Sequence, residues 1–167
     1  MRPFLGAVRS QSVYEACIPF KLKYPYKVVK NGNVIEEKVE LFPDSEEDAF
    51  VDEAKEIEIA TTYKFRPVVI ISSSETSKTH LVVAITKRKD DDSKKLLAIC
   101  NNQIVERHFL SLKKYSNVLK YDSYVLVDAI YLITEENIYY CRGRLENRDF
   151  DTIRAKLKGV LSLNPPS

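Results

Sequence analysis

Phe65-Arg-Pro-Val-Val-Ile-Ile-Ser-Ser73 is a nearly continuous apolar run behind an arginine and a proline. A short run of β-branched residues of this kind predicts a buried strand. Pro67 must stand at its start, because proline has no amide hydrogen for a central ladder. The next strand is His80 to Lys87 (HLVVAITK), followed by a charged turn over Lys87 to Lys95 (KRKDDDSKK). Upstream, Ser12 to Phe20 (SVYEACIPF) is rich in β-branched and aromatic residues and predicts the first strand. Leu96 to Ile99 and Ile104 to Phe109 predict short strands, and Leu112 to Lys120 a loop. Ser123 to Ile133 (SYVLVDAIYLI) predicts a strong strand and Ile138 to Arg142 another. Phe150, Ile153, Leu157, Val160 and Leu161 fall at helical spacing, so a helix from about Asn147 to Leu161 closes the chain. Asn147 suits its N-cap, Asp149 and Asp151 its first turn, and Lys156 and Lys158 its end. Pro165-Pro166 stops any continuation. Many short strands, one late helix and no βαβ alternation predict a mainly β fold, a small antiparallel barrel covered by a helix.

The segment 21–62 stands apart. Asn31-Gly32 separates two alternating runs, YKVVK and VIEEKVEL, which is a strong hairpin signal. A helix is expected from Asp44 or Ser45 to Lys55, with Ser45 and Asp48 as a capping-box-like pair. Between Glu36 and Glu58 there are eleven acids and two bases, a net −9 inside a chain of net +2. The rest is a basic body with 24 bases and 13 acids. A basic body suits a polyanion such as nucleic acid. The alternative is an acidic loop and a basic surface that are both simply solvated.

Length and composition exclude several classes. With 167 residues the chain is one domain carrying an insertion, since domains usually run to about 100–150 residues. Only four glycines occur, which excludes a glycine-rich phosphate loop or dinucleotide fingerprint. Three scattered cysteines give no CxxC pair, and two distant histidines form no metal motif. No metal or other cofactor is expected, and the cysteines are expected to be reduced and buried. The longest apolar run falls short of the roughly 18–20 residues of a membrane span, and the start lacks a signal-peptide core. A cytoplasmic protein with no membrane partner is the expectation.

Four blocks in order resemble the MazF/PemK family of toxin endoribonucleases. Ser12-Val-Tyr-Glu-Ala-Cys-Ile-Pro-Phe20 is similar to the family's first strand, and Arg66-Pro-Val-Val-Ile-Ile-Ser72 to its Arg-Pro-hydrophobic strand. Leu81-Val-Val-Ala-Ile-Thr86 resembles the strand that ends in threonine. Ser123-Tyr-Val-Leu-Val-Asp128-Ala-Ile resembles the one that ends in Asp-Gln-Ile, and Gly143-Arg-Leu145 leads into the last helix as the family's Gly-x-Leu does. The resemblance implies an SH3-like barrel that forms a homodimer, single-stranded RNA (mRNA) as substrate and a cognate antitoxin as partner. It also implies metal-independent cleavage leaving a 2′,3′-cyclic phosphate.

Cleavage of this kind makes the RNA 2′-hydroxyl attack its own phosphate, and negative charge gathers on the phosphate oxygens. That requires a fixed planar cation and a short hydroxyl donor. Arg66 and Thr86 match the family's principal catalytic residues, and Asp128 matches an aspartate that some members use. Lys64, Lys87, Arg88, Ser72 and Ser73 are the RNA-binding candidates. Tyr14, Tyr63 or Tyr26 would stack on splayed bases, or else belong to the core. Glu56, Glu58 and Asp128 are the candidate general bases.

The chain also departs from the pattern. Gln11-Ser12 replaces Gly-Asp, Glu58 to Phe65 lacks the usual glycine, Ser73 and Ser74 stand where Asn or Asp is common, Ala129 replaces glutamine, and Tyr131 replaces arginine. Residues 21–62 hold no histidine and replace a much shorter connection. The insertion is expected to lie over the basic groove and imitate RNA or an acidic antitoxin tail, so that deleting 43–57 raises RNA cleavage. The rival functions are a toxin of the same fold that poisons gyrase without catalysis, and an inactive RNA-binding or protein-interaction barrel.

Overall fold

In a computed structural model of the protein, residues 6–19, 26–30, 33–38, 63–89 and 93–162 are described. The chain divides into two compact units, Met1–Ile18 with Phe65–Ser167, and Pro19–Lys64.

The second unit contains the antiparallel pair β2 (Tyr26–Lys30) and β3 (Asn33–Lys38). Lys30 pairs with Asn33 and Tyr26 with Lys38, the hairpin that Asn31-Gly32 predicts, with a bulge between Val28 and Val29. The helix expected over 44–55 lies outside the described residues, as do Glu56 and Glu58.

The first unit is built on a six-stranded sheet of order β6-β7-β5-β4-β1-β8. Its strands are β1 (Ser12–Pro19), β4 (Tyr63–Ser74), β5 (Thr79–Lys87), β6 (Arg107–Leu110), β7 (Ser123–Thr134) and β8 (Ile138–Arg144). The ladder between β4 and β5 begins at Val68 opposite Ala84, so Pro67 stands just before it. Alternation explains the continuous apolar runs. Val69, Val83 and Ile85 enter one core cluster with Val13, Leu110, Val125, Phe150 and Ile153. Their neighbours Val68, Ile70, Val82 and Ala84 enter a second with Tyr14, Ala16, Ile18, Ile133 and Ile138. Strand side chains point alternately to opposite faces, and here both faces are buried.

The sheet is strongly curled. Thr134 and Ile138 are joined by a single 3-10 turn, Glu135–Asn137, although β5, β4 and β1 lie between their strands in the sheet order. Four peptide units reach at most about 15 Å. Four flat strand spacings of about 4.8 Å would need about 19 Å. Bulges between Val83 and Ala84, Ile70 and Ser72, and Val13 and Tyr14 supply the bends.

The architecture is the expected mainly antiparallel one with a C-terminal helix, but the barrel is not closed: β6 and β8 are the two edges of the sheet. The edge at β6 is only four residues long and is met by a helix instead of a strand. Lys156, buried on α2 (Asn147–Ser162), donates from Nζ to the Arg107 carbonyl at 2.7 Å and to the Ile99 carbonyl at 3.3 Å. Burial pulls the Lys156 ammonium below the usual lysine range.

Some local expectations change. Leu96 to Ile99 belong to a helix, α1 (Ser93–Cys100), because a four-residue apolar run does not distinguish the two periods. Asn147 does not act as the cap. Its Oδ1 accepts from Gln11 Nε2 at 2.7 Å, while Phe150 N donates to the Glu146 carbonyl at 3.1 Å. Cys17, Cys100 and Cys141 are free, but none is buried: Cys17 and Cys141 are half-buried and Cys100 is exposed. Tyr14 is a core residue, 2% exposed, and is not a stacking surface.

Candidate active site

The start of β4, the end of β5, the start of β7 and the end of β8 surround a cleft of about 240 Å³. Arg66 and Pro67 come from β4, Ile85, Thr86 and Lys87 from β5, Ser123 from β7 and Arg142 from β8. The loop before β7 supplies Leu119, Lys120 and Tyr121. Register explains why Arg66 and Thr86 meet. Val68 pairs with Ala84, and the same register continued past Pro67 sets Arg66 level with Thr86 on the same face. On the other side of β5, Thr86 pairs with Tyr124 and Lys87 with Ser123.

The described lining carries four cationic side chains and no carboxylate. Lys87 Nζ lies 4.1 Å from the centre of the Tyr121 ring, a cation–π contact. Ser123 Oγ donates to the Tyr121 carbonyl at 2.8 Å and fixes the backbone there. Arg142 is clamped: its Nη1 donates to the Val118 carbonyl at 3.1 Å and its Nη2 to Glu15 of β1.

The loop from Ser111 to Asp122 is held from behind. Asp122 Oδ1 accepts the Leu112 amide at 2.7 Å. Asp149, in the first turn of α2, accepts from Lys114 Nζ at 2.7 Å and from the Tyr115 hydroxyl, and meets His108 Nε2 at 3.1 Å. The Tyr115 oxygen in turn accepts the Glu146 amide at 3.1 Å. Burial pushes the Asp149 carboxyl up, but the hydrogen bonds from His108, Lys114 and Tyr115 outweigh it and hold the group well below the usual carboxylate range. The same burial, with the Asp149 hydrogen bond, pushes the Tyr115 phenol up to about 12.

The residues expected at the site are not all brought together. Arg66, Thr86 and Lys87 share the cleft, and Arg88 follows directly after β5, its amide donating to the Asp122 carbonyl at 2.8 Å. Lys64 is exposed on β4 and belongs to the second unit. Ser72 and Ser73 lie at the far end of β4, opposite Leu81 and His80, and Ser73 Oγ donates to the Val8 carbonyl at 3.4 Å. Asp128 sits in the β7 bulge between Leu126 and Ile130, pairs with Arg107 of β6, and is absent from the lining of the cleft. Lys120, Tyr121, Ser123 and Arg142 line the cleft without standing among the residues expected at the site. The signals were the glycine after Arg142 and the aromatic residue just ahead of the strongest strand. Among the described residues no group of three His, Cys, Asp or Glu side chains can hold a metal ion, and no helix is long and apolar enough to cross a membrane.

A curled antiparallel sheet with a cationic cleft at one end of its central strands defines the class of protein. Residues 54–161 match the family described as PemK-like, MazF-like toxin of type II toxin-antitoxin system, and the chain belongs to that family. The match runs from the acidic segment through α2 and leaves β1 outside. Among solved structures, an endoribonuclease in complex with its cognate antitoxin from Mycobacterial species is similar to this chain. It shares 13% identity and a TM-score of 0.49, covering 96% of this chain and 100% of that one. No curated protein matches the chain.

Proposed function

We propose that this protein is the toxin of a type II toxin–antitoxin pair and cleaves single-stranded RNA without a metal ion. The observation that carries this reading is the meeting of Arg66 and Thr86 in one cleft whose described lining carries four cationic side chains and no carboxylate. Such a cleft attracts a phosphodiester.

In the proposed reaction the 2′-hydroxyl oxygen attacks the adjacent phosphorus, the bond to the 5′-oxygen breaks, and a 2′,3′-cyclic phosphate and a 5′-hydroxyl result. Arg66 offers planar donors to the oxygens that gain charge, and Thr86 adds a hydroxyl donor beside it. Lys87 and Lys120 neutralise flanking phosphates. Asp128 lies outside the lining of the cleft, and the other two candidate bases, Glu56 and Glu58, lie outside the described residues. A cognate antitoxin, a homodimer and a cytoplasmic location belong to the same proposal and rest on membership of the family.

The test is cleavage of a long RNA in EDTA by the wild-type protein and by Arg66→Ala. Cleavage that resists EDTA and disappears in the variant supports the reading. Absence of cleavage by the wild type, with inhibition of gyrase, would replace it by a non-catalytic toxin.

A further inference from the structure

We infer that Tyr121 is a nucleobase-stacking site of the cleft, next to the phosphate position at Arg66 and Thr86. The inference rests on the RNA-cleaving reading above and names which part of the substrate the cleft holds besides phosphate.

Three independent features point to it. Tyr121 is one of the most exposed aromatic residues described, at 52%, yet it lines a cleft and is not isolated on the surface. Lys87 Nζ lies over one face of its ring, 4.1 Å from the centre, so a base would stack on the opposite face with a cation for the phosphate already beside it. Single-stranded nucleic acid is held by this pairing: bases stack on aromatic rings while cations follow the backbone. Finally, the backbone that carries the ring is held by side chains. The Ser123 hydroxyl holds the Tyr121 carbonyl at 2.8 Å, and Arg142 holds the Val118 carbonyl at 3.1 Å three residues earlier. A loose surface loop would need none of these bonds. A stacking residue does need them, because ordering it on binding would consume part of the stacking energy.

The chain contains no tryptophan, which makes Tyr121→Trp a single fluorescent reporter at the site. Placed in an Arg66→Ala background to prevent cleavage, it is titrated with a labelled oligoribonucleotide, with the same backbone lacking bases, and with inorganic phosphate. Binding is followed separately by anisotropy of the label. The expected result is quenching of the indole by the oligoribonucleotide only. Tyr121→Ala should weaken binding of the same oligonucleotide roughly tenfold, and Tyr121→Phe should retain it. Equal anisotropy with and without Tyr121→Ala in the Arg66→Ala background, or equal quenching by the base-free backbone, would overturn the stacking site alone. No binding of RNA by any variant, the wild type included, would overturn both this site and the RNA-cleaving reading.

Discussion

Val118 packs so closely onto the backbone of Gly143 that a β-carbon there would lie 2.9 Å from its Cγ2 atom. Gly143 also has φ +142, a conformation that side chains rarely adopt. Arg142, one residue earlier, donates to the Val118 carbonyl. These contacts dock the loop whose next three residues, Leu119 to Tyr121, form one wall of the cleft. Gly143→Ala is therefore expected to cost about 1–3 kcal/mol through backbone strain and to weaken RNA binding as the loop shifts. Urea denaturation gives the first quantity and oligonucleotide anisotropy the second. Full stability in the variant would show that the loop moves freely.

Thr86 is expected to act through its hydroxyl. Thr86→Val keeps the shape and should lower RNA cleavage by about 10²–10³-fold, the usual loss when one donor to a charged transition state is removed. Thr86→Ser should retain most of the rate. Single-turnover cleavage separates the two, and equal rates for Val and Ser would exclude a role for the hydroxyl.

Asp128 should matter little for cleavage. It is 43% exposed, pairs with Arg107 and stands in a bulge beyond the cleft. Exposed ion pairs contribute about 0–1 kcal/mol. Asp128→Asn should leave both the cleavage rate and the urea midpoint close to wild type. A rate loss comparable to that of Arg66→Ala would mean that the aspartate reaches substrate in some other arrangement.

Asp149 ties stability to acid pH. Its carboxyl is held below the unfolded value of about 3.9, so its contribution is complete above that pH and is lost as pH falls through the lower folded value. Asp149→Asn should be about 1–3 kcal/mol less stable than wild type at pH 6, since Tyr115, Lys114 and His108 lose a charged acceptor. The gap should close on acidification below pH ~4. Denaturation midpoints of the pair from pH 6 to pH 2.5 test this, and a constant gap would remove the charge from the explanation.

His80 acts in a higher pH range. It is buried, 3% exposed, and neither ring nitrogen has a partner among the described residues. Burial pulls its pKa below the usual histidine range, against a weaker opposing pull from Glu135. Protonation therefore favours the unfolded chain. Stability is full above about pH 6.5, the unfolded value, and falls as pH drops from there through the folded one. His80→Leu should flatten the fall in melting temperature between pH 7.5 and 5, and parallel curves for the two proteins would refute it.

The sequence alone determined the strands, because their information is local. Val68, Val69 and Ile70 read as one buried strand whether or not their partners are known, Pro67 marks where its ladder can begin, and Asn31-Gly32 marks a hairpin. The Arg66 and Thr86 blocks pointed to the family for the same reason. A four-residue run such as Leu96 to Ile99 carries too little periodicity to separate a strand from the helix it forms. Only the tertiary structure decided which residues share the cleft. Bulges shift register by whole residues: the one in β7 takes Asp128 to a pairing with Arg107. The curl of the sheet brings the end of β8, and with it Arg142, to the start of β4 and the end of β5. The docking of Val118 on Gly143 sets the loop that presents Tyr121. Register, curl and docking each depend on packing between residues far apart in the chain, and local pattern does not encode them.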